Sequence, residues 1–115
     1  MIRRFVFFRF LEPYRTKQAM DEIISRTHAV LGDSKGVVSY EVGTAADSKS
    51  LAAWDLSITA TFADRQSLEA YIVHPVHRAY VDAFIKPRLE VIKAWNFRGE
   101  GLPSEALDPL QKGDD

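Results

Sequence analysis

The chain has no cysteine among its 115 residues. That removes disulfides, thiolate nucleophiles and thiolate metal sites, and it suits a chain kept in a reducing cytosol. It also has no excess of either charge: 15 Lys and Arg stand against 16 Asp and Glu, a net charge of −1. The basic residues are scattered, so nothing in them favours nucleic acid or an anionic membrane surface. No apolar run approaches the ~20 residues that cross a bilayer as a helix. The opening MIRRFVFFRFLEP starts like a leader, with arginines ahead of apolar residues. Arg9 interrupts that run and no small-residue cleavage site follows, so the segment reads as a strand. A Gly-rich phosphate loop and a GxSxG elbow are both missing. The expected class is a soluble, cytoplasmic domain with no nucleic-acid or membrane partner.

What is present is a pattern of strands and short helices. Ile2 to Phe10 is aromatic and apolar on both faces, as a central strand is. Glu12, Pro13 and Tyr14 turn the chain into a helix to about Leu31, with Met20, Ile23, Ile24, Thr27, Val30 and Leu31 on one stripe and Gly32 as its stop. Val37 to Thr44 alternates as a strand with Val38, Tyr40 and Val42 on one side. AADSKS reads as a polar turn. Leu51 to Phe62 reads as a long strand with Trp54, Leu56, Ile58, Ala60 and Phe62 on one face. Asp64 caps a short helix carrying Leu68, Tyr71 and Ile72. After Pro75, a second helix runs from about Val76 to Lys86 with Val76, Tyr80 and Phe84 in register, and Leu89 to Arg98 is the last strand. This order makes an α+β fold: a ferredoxin-like four-stranded antiparallel sheet with helices on one face. The other face, carrying Phe5 and Phe7, is left bare and calls for a homodimer in which two sheets close into an α+β barrel. The domain spans 1–98, and the aperiodic segment 99–115 reads as a polar C-terminal tail.

Chemistry concentrates in YIVHPVHRAY, residues 71–80. Pro75 disfavours helical backbone at His74 and suits the first turn of the next helix, so His74 reads as a cap residue. His77 lies in that first turn, where the positive end of the helix dipole keeps an imidazole neutral and fit to act as a base near neutral pH. Tyr71 stands one turn before the joint. The pair suits proton transfer on a small, largely apolar carbonyl compound: His77 removes a proton α to the carbonyl and Tyr71 donates to the enolate oxygen. Arg4, sharing its strand parity with Phe8, is either an anchor for a substrate carboxylate or a strand-end arginine reaching solvent. Alternatively, His77 only hydrogen-bonds across the joint, in a non-catalytic ligand-binding barrel. A metal reading is weak, because the proline separates the two histidines and no further ligand cluster of recognisable spacing completes a set. His28 reads as solvated. Asp55 and Glu41 read either as a carboxylate pair on neighbouring strands or as partners of Arg3 or Arg9.

The strands RRFVFFRF, VVSYEVG and WDLSITATFAD, together with YIVHPVHRAYVDAFIKPRLEVIKAWNF, resemble the stress-responsive A/B barrel (Dabb) family of dimeric α+β barrels. The resemblance covers nearly everything from Ile2 to Phe97, and the block of Ala70, Tyr71, His74, Pro75 and His77 is its most specific part. The family includes a cofactor-free polyketide cyclase. That likeness implies His77 as general base and Tyr71 as its phenolic partner, in a cavity between sheet and helices. Two histidines of that chemistry correspond to Arg4 and Leu56 here, a departure that leaves the substrate open; these two and Phe8, on the same strand parity as Arg4, are the candidate substrate-binding positions. Asn96 stands where an acidic residue is frequent in the family. The implied chemistry needs no cofactor and no metal; the alternatives are a non-catalytic stress-response barrel and a cofactor-free monooxygenase.

Overall fold

The computed structural model describes residues 1–99. The expected tail lies outside them except for Gly99, whose amide donates to the Met1 carbonyl at 3.0 Å. Strand β1 is Ile2–Phe10, helix α1 is Lys17–Gly32 and β2 is Val37–Thr44. A short helix α2, Ser48–Ala53, precedes β3, Leu56–Phe62. Helices α3, Arg65–Val73, and α4, Pro75–Ala79, lead through a π-helical turn, Tyr80–Ile85, to β4, Leu89–Arg98. The four strands form one antiparallel sheet in the order β2-β3-β1-β4. This is the ferredoxin-like plait, with the aromatic first strand central as its two-sided apolar character requires.

One parity of each central strand meets the helices. Ile2, Val6, Phe8 and Phe10 of β1 and Leu56, Ile58, Ala60 and Phe62 of β3 are all buried. They pack against Ile23, Val30 and Leu31 of α1, Leu68 and Tyr71 of α3, and Tyr80, Phe84 and Ile85 of the π turn. The opposite parity is uncovered. There Phe5 meets Phe97 edge-on at 5.9 Å between centroids, and Phe7 lies between Trp54 at 5.7 Å and Trp95 at 6.1 Å. Trp95 and Phe97 remain 48% and 58% exposed, which marks this face as the bare one.

Several sequence expectations change. AADSKS is not a plain turn: the Asp47 side chain accepts from the Ser50 amide at 2.7 Å and starts α2. The helix takes up Leu51 to Ala53, so β3 begins only at Leu56 and Trp54 lands on the bare face beside Phe7. Helix α1 includes Gly32, and the left-handed backbone is instead at Gly36, with φ +88°. There an added Cβ would also press on Ser67 at 3.4 Å. On β2 the register shifts between Val37 and Ser39. The irregularity turns Val38 outward, to 54% exposure, and lets Val37 pack in its place. The helix after Pro75 changes hydrogen-bond period, so its buried register is His77, Tyr80 and Phe84, while Val76 is 50% exposed.

Of the two readings of Asp55, the arginine partnership holds, with Arg9 among the partners, and the pairing with Glu41 does not. Glu41 stands opposite Thr59, whereas Asp55 is buried at the end of β1. It accepts from the Phe10 amide at 2.9 Å and from Arg15 Nε at 3.0 Å, with Arg9 at 3.9 Å. One carboxylate therefore ties the start of β3 to the end of β1 and to the turn before α1. Replacing Asp55 by Ala leaves a buried amide without its acceptor and should lower the unfolding free energy by about 2 kcal/mol. A urea titration measures this, and an unchanged midpoint would show that the contact contributes nothing.

Candidate active site

The site grows out of the broken helix at Pro75. In an unbroken helix the Ile72 carbonyl would accept from the Val76 amide, four residues on. Pro75 forces His74 into extended backbone, with φ −61° and ψ 136°, so that bond is lost; the Tyr71 carbonyl, which Pro75 cannot reach with an N–H, accepts from the His74 amide at 3.2 Å. The Ile72 carbonyl and the Val76 amide are each taken by one histidine. His74 Nδ1 accepts from the Val76 amide at 3.2 Å, and His77 Nδ1 lies 3.0 Å from the Ile72 carbonyl. His74 is thus the expected cap.

His77 has a second consequence. A carbonyl only accepts, so Nδ1 carries the proton and Nε2 of the neutral ring keeps its lone pair. The ring is 8% exposed, and burial holds its pKa below the usual 6.5; Arg4 and Arg78 add to that, while the Ile72 bond and Asp82 oppose it. The neutral ring expected from the helix dipole is therefore accounted for mainly by burial. The His77 and Tyr71 rings are in contact, 4.3 Å between centroids.

These rings open on a cavity of about 140 Å³ between sheet and helices. Val6, Phe8, Ile58, Ala60, Val81 and Ile92 wall it, and Arg4, Tyr71, His77, Arg78 and Tyr80 bring polar side chains to it. Arg4 donates from Nη1 to Oδ1 of Asn96, its partner across the strands, at 3.0 Å. Burial lowers the Arg4 pKa, but a guanidinium starts high enough to stay charged. Burial also pushes the Tyr71 phenol up to about 12, helped by Tyr80 and opposed by Arg4. Tyr71 is therefore a protonated donor at neutral pH. Among the described residues, the Tyr71 hydroxyl has no hydrogen-bond partner, and no side-chain polar atom is sealed off without one. It is open to a ligand.

The structure thus brings four of the sequence candidates together: Arg4, Phe8, Tyr71 and His77. Leu56 does not line this cavity. It is 1% exposed and borders a separate hollow next to α2, with Phe7 and Trp54; Ile58 and Ala60 of the same strand take its place. His74 lines a different hollow of about 310 Å³, with Ser34, Lys35 and Tyr71, which borders both. The two histidines accordingly do not share a site. His28 is exposed as expected, with Nδ1 3.1 Å from the Tyr40 hydroxyl. Sequence reasoning passed over Tyr80 as a site residue. The available signal is its spacing three residues after His77, masked by the apolar register of Val76, Tyr80 and Phe84.

The class defined by these features is a plait-type α+β domain with a small, partly polar cavity between sheet and helices. The model of the stress responsive A/B barrel domain (Dabb) matches residues 2–98, and the chain belongs to that family. Solved structures agree on the fold. A Dabb family protein with a ferredoxin-like fold from Mesorhizobium loti is 22% identical, with 87% of this chain and 97% of that chain covered, at a TM-score of 0.72. A dimeric ferredoxin-like protein from Thermobifida fusca is 24% identical, covering 84% and 88% at 0.72. The hydroxynitrile lyase of Passiflora edulis is 18% identical, covering 89% and 96% at 0.73. No curated protein matches the chain by sequence.

Burial favours the neutral His77 ring only in the folded state, so on acidification the unfolded chain binds this proton first. His77 therefore contributes stability that is whole above its usual pKa of 6.5 and is lost as pH falls below it. Between about pH 7.5 and about pH 5, the thermal midpoint of the native protein should fall more than that of His77→Asn. Asparagine keeps a donor for Ile72 but does not titrate. Equal falls in the two proteins would show that His77 is not held neutral by the fold.

Proposed function

We propose that this chain is an acid–base enzyme that works without a cofactor on a small carbonyl compound. The observation that carries this reading is the commitment of His77 Nδ1 to the Ile72 carbonyl. It leaves Nε2 as a base in a ring touching Tyr71, beside the cavity that Arg4 also lines. Nε2 removes a proton from the carbon next to a carbonyl, and the electron pair moves onto the carbonyl oxygen. The Tyr71 hydroxyl and the Arg4 guanidinium stabilise that oxyanion, and the imidazolium returns its proton in the second half of the reaction. The size of the cavity limits the substrate. At about 140 Å³ it is close to the roughly 150 Å³ that accommodates benzene in an engineered protein cavity. A fold neighbour that is a hydroxynitrile lyase supports a catalytic use of this architecture.

The second part of the proposal is a homodimer formed through the bare sheet face. Phe5, Phe7, Trp95 and Phe97 make a contiguous aromatic patch there, and the Thermobifida fusca neighbour is itself described as dimeric. An obligate pairing of this kind buries more than roughly 1,000 Å² in total. Light scattering at micromolar concentration should return twice the chain mass, and Trp95→Lys should shift the equilibrium toward monomer. A native protein that scatters as a monomer would remove the barrel.

Catalysis is tested by NMR-detected exchange of α-protons for deuterium across a panel of small aldehydes and ketones. His77→Asn should slow exchange by at least about 10²-fold, with ligand dissociation constants little changed. Tyr71→Phe should slow it less, because the ring stays and only the donor is lost. Ligands that bind without protein-dependent exchange would instead support a non-catalytic binding barrel.

A further inference from the structure

Tyr80 sits on the π-helical turn, lines the same cavity, and has no part in the chemistry above. Its hydroxyl oxygen is 2.7 Å from Thr27 Oγ1, a distance alone that leaves the donor undecided. The next bond decides it. Thr27 Oγ1 is also 2.7 Å from the Ile23 carbonyl one turn back along α1. That carbonyl only accepts, so the single Thr27 proton is spent there. Tyr80 must then donate to Thr27, and Thr27 is fully buried, so no water relieves the arrangement. The proton of Tyr80 is committed, and its oxygen has only lone pairs left to offer.

Most polar groups around the cavity therefore have fixed and complementary senses. Arg4 and Arg78 can only donate, whereas His77 Nε2 and the Tyr80 oxygen offer acceptors; the free Tyr71 hydroxyl can turn either way. All five line one cavity whose remaining walls are apolar. An acceptor that cannot rotate into a donor discriminates between ligands, because an acceptor-only group brought against it leaves two lone pairs facing each other. We infer that Tyr80 is a specificity-determining residue, held by Thr27 and Ile23 as an obligate acceptor, and that it selects substrates bearing a hydroxyl group in addition to the carbonyl. The substrate class becomes a small hydroxy-carbonyl compound with an apolar body. This rests on the cavity being the ligand site proposed above, but it does not require His77 to be catalytic.

The experiment is an NMR-detected titration of the full chain with phenol, anisole and toluene, read on the resonances of His77 and Tyr71. Phenol and anisole carry the same ring oxygen and differ in the donor. Phenol should bind about tenfold more tightly than anisole or toluene, the worth of one well-placed hydrogen bond. In Tyr80→Phe that preference should shrink to within about twofold while toluene affinity stays level. Thr27→Val frees the Tyr80 proton, so anisole should gain and the phenol-to-anisole ratio should narrow, an effect that simple loosening of the helix would not produce. A phenol preference that survives Tyr80→Phe, or probes that bind without preference, overturns the assignment of Tyr80 and leaves the cavity as a ligand site. Probes that perturb neither His77 nor Tyr71 overturn both. Absence of α-proton exchange touches only the acid–base reading, since the affinity ratios are measured at equilibrium.

Discussion

The break in the helix at one proline organises the candidate site. The ring of Pro75 keeps His74 out of helical backbone. The Ile72 carbonyl and Val76 amide, which would otherwise pair, are each left to find another partner. Two histidine side chains supply those partners, one from each side of the proline. Leaving the part-buried Ile72 carbonyl unpaired would cost about 1–3 kcal/mol, whereas the Val76 amide lies at the surface; the bend and the histidines form one device. The same bond that repairs the backbone also sets the tautomer of His77. Structure and candidate chemistry are not alternatives here, because the bond that satisfies Ile72 is what leaves Nε2 unprotonated.

The bend has further effects. By turning the chain at His74, it brings His77 rather than Val76 onto the buried side, and the π turn that follows carries Tyr80 and Phe84 on the same side. Turns of this type are found often where function displaces an ideal helix. The tyrosine so placed reaches α1 through Thr27. The cavity thus lies between elements that are each tied by a polar contact: β1 and β3 by Asp55 and its arginine, α3 and α4 by the histidine pair, and the π turn by Thr27. Rigid support of this kind keeps polar side chains in place in a cavity with few of them.

The two faces of the sheet divide the work. The helix-facing parity of β1 carries Ile2, Val6, Phe8 and Phe10 with Arg4 inserted among them, and Arg4 is accommodated because Asn96 stands across from it. The bare parity carries Phe5 and Phe7 between tryptophans and Phe97. A central strand aromatic on both faces thus serves two surfaces, a candidate site on one and an apolar face on the other that needs a cover.

Local rules made much of this legible. The proline determines the break, Asp64 the start of α3, with its side chain accepting from the Ser67 amide at 2.8 Å, and the alternation from Leu56 to Phe62 the faces of β3. Those features depend on neighbours in the chain, so the strand order of a ferredoxin-like plait and the Tyr71–His77 pair could be read from residue types and spacing. What misled were places where a non-local or competing contact overrode the period. Asp47 seized Ser50 and shortened β3, an irregular register turned Val38 out, and Asp55 found Arg15 and the Phe10 amide, 40 and 45 residues away in sequence. Leu56 shares its parity with Ile58 and Ala60 but lies beyond the cavity's end, a matter of depth that alternation does not encode. The polarity of Tyr80 lay furthest from the sequence. It depends on a hydrogen bond donated by Tyr80 to Thr27 and a second donated by Thr27 to the Ile23 carbonyl, and the first of those bonds joins residues 53 apart. Only packing of the π turn against α1 could decide it.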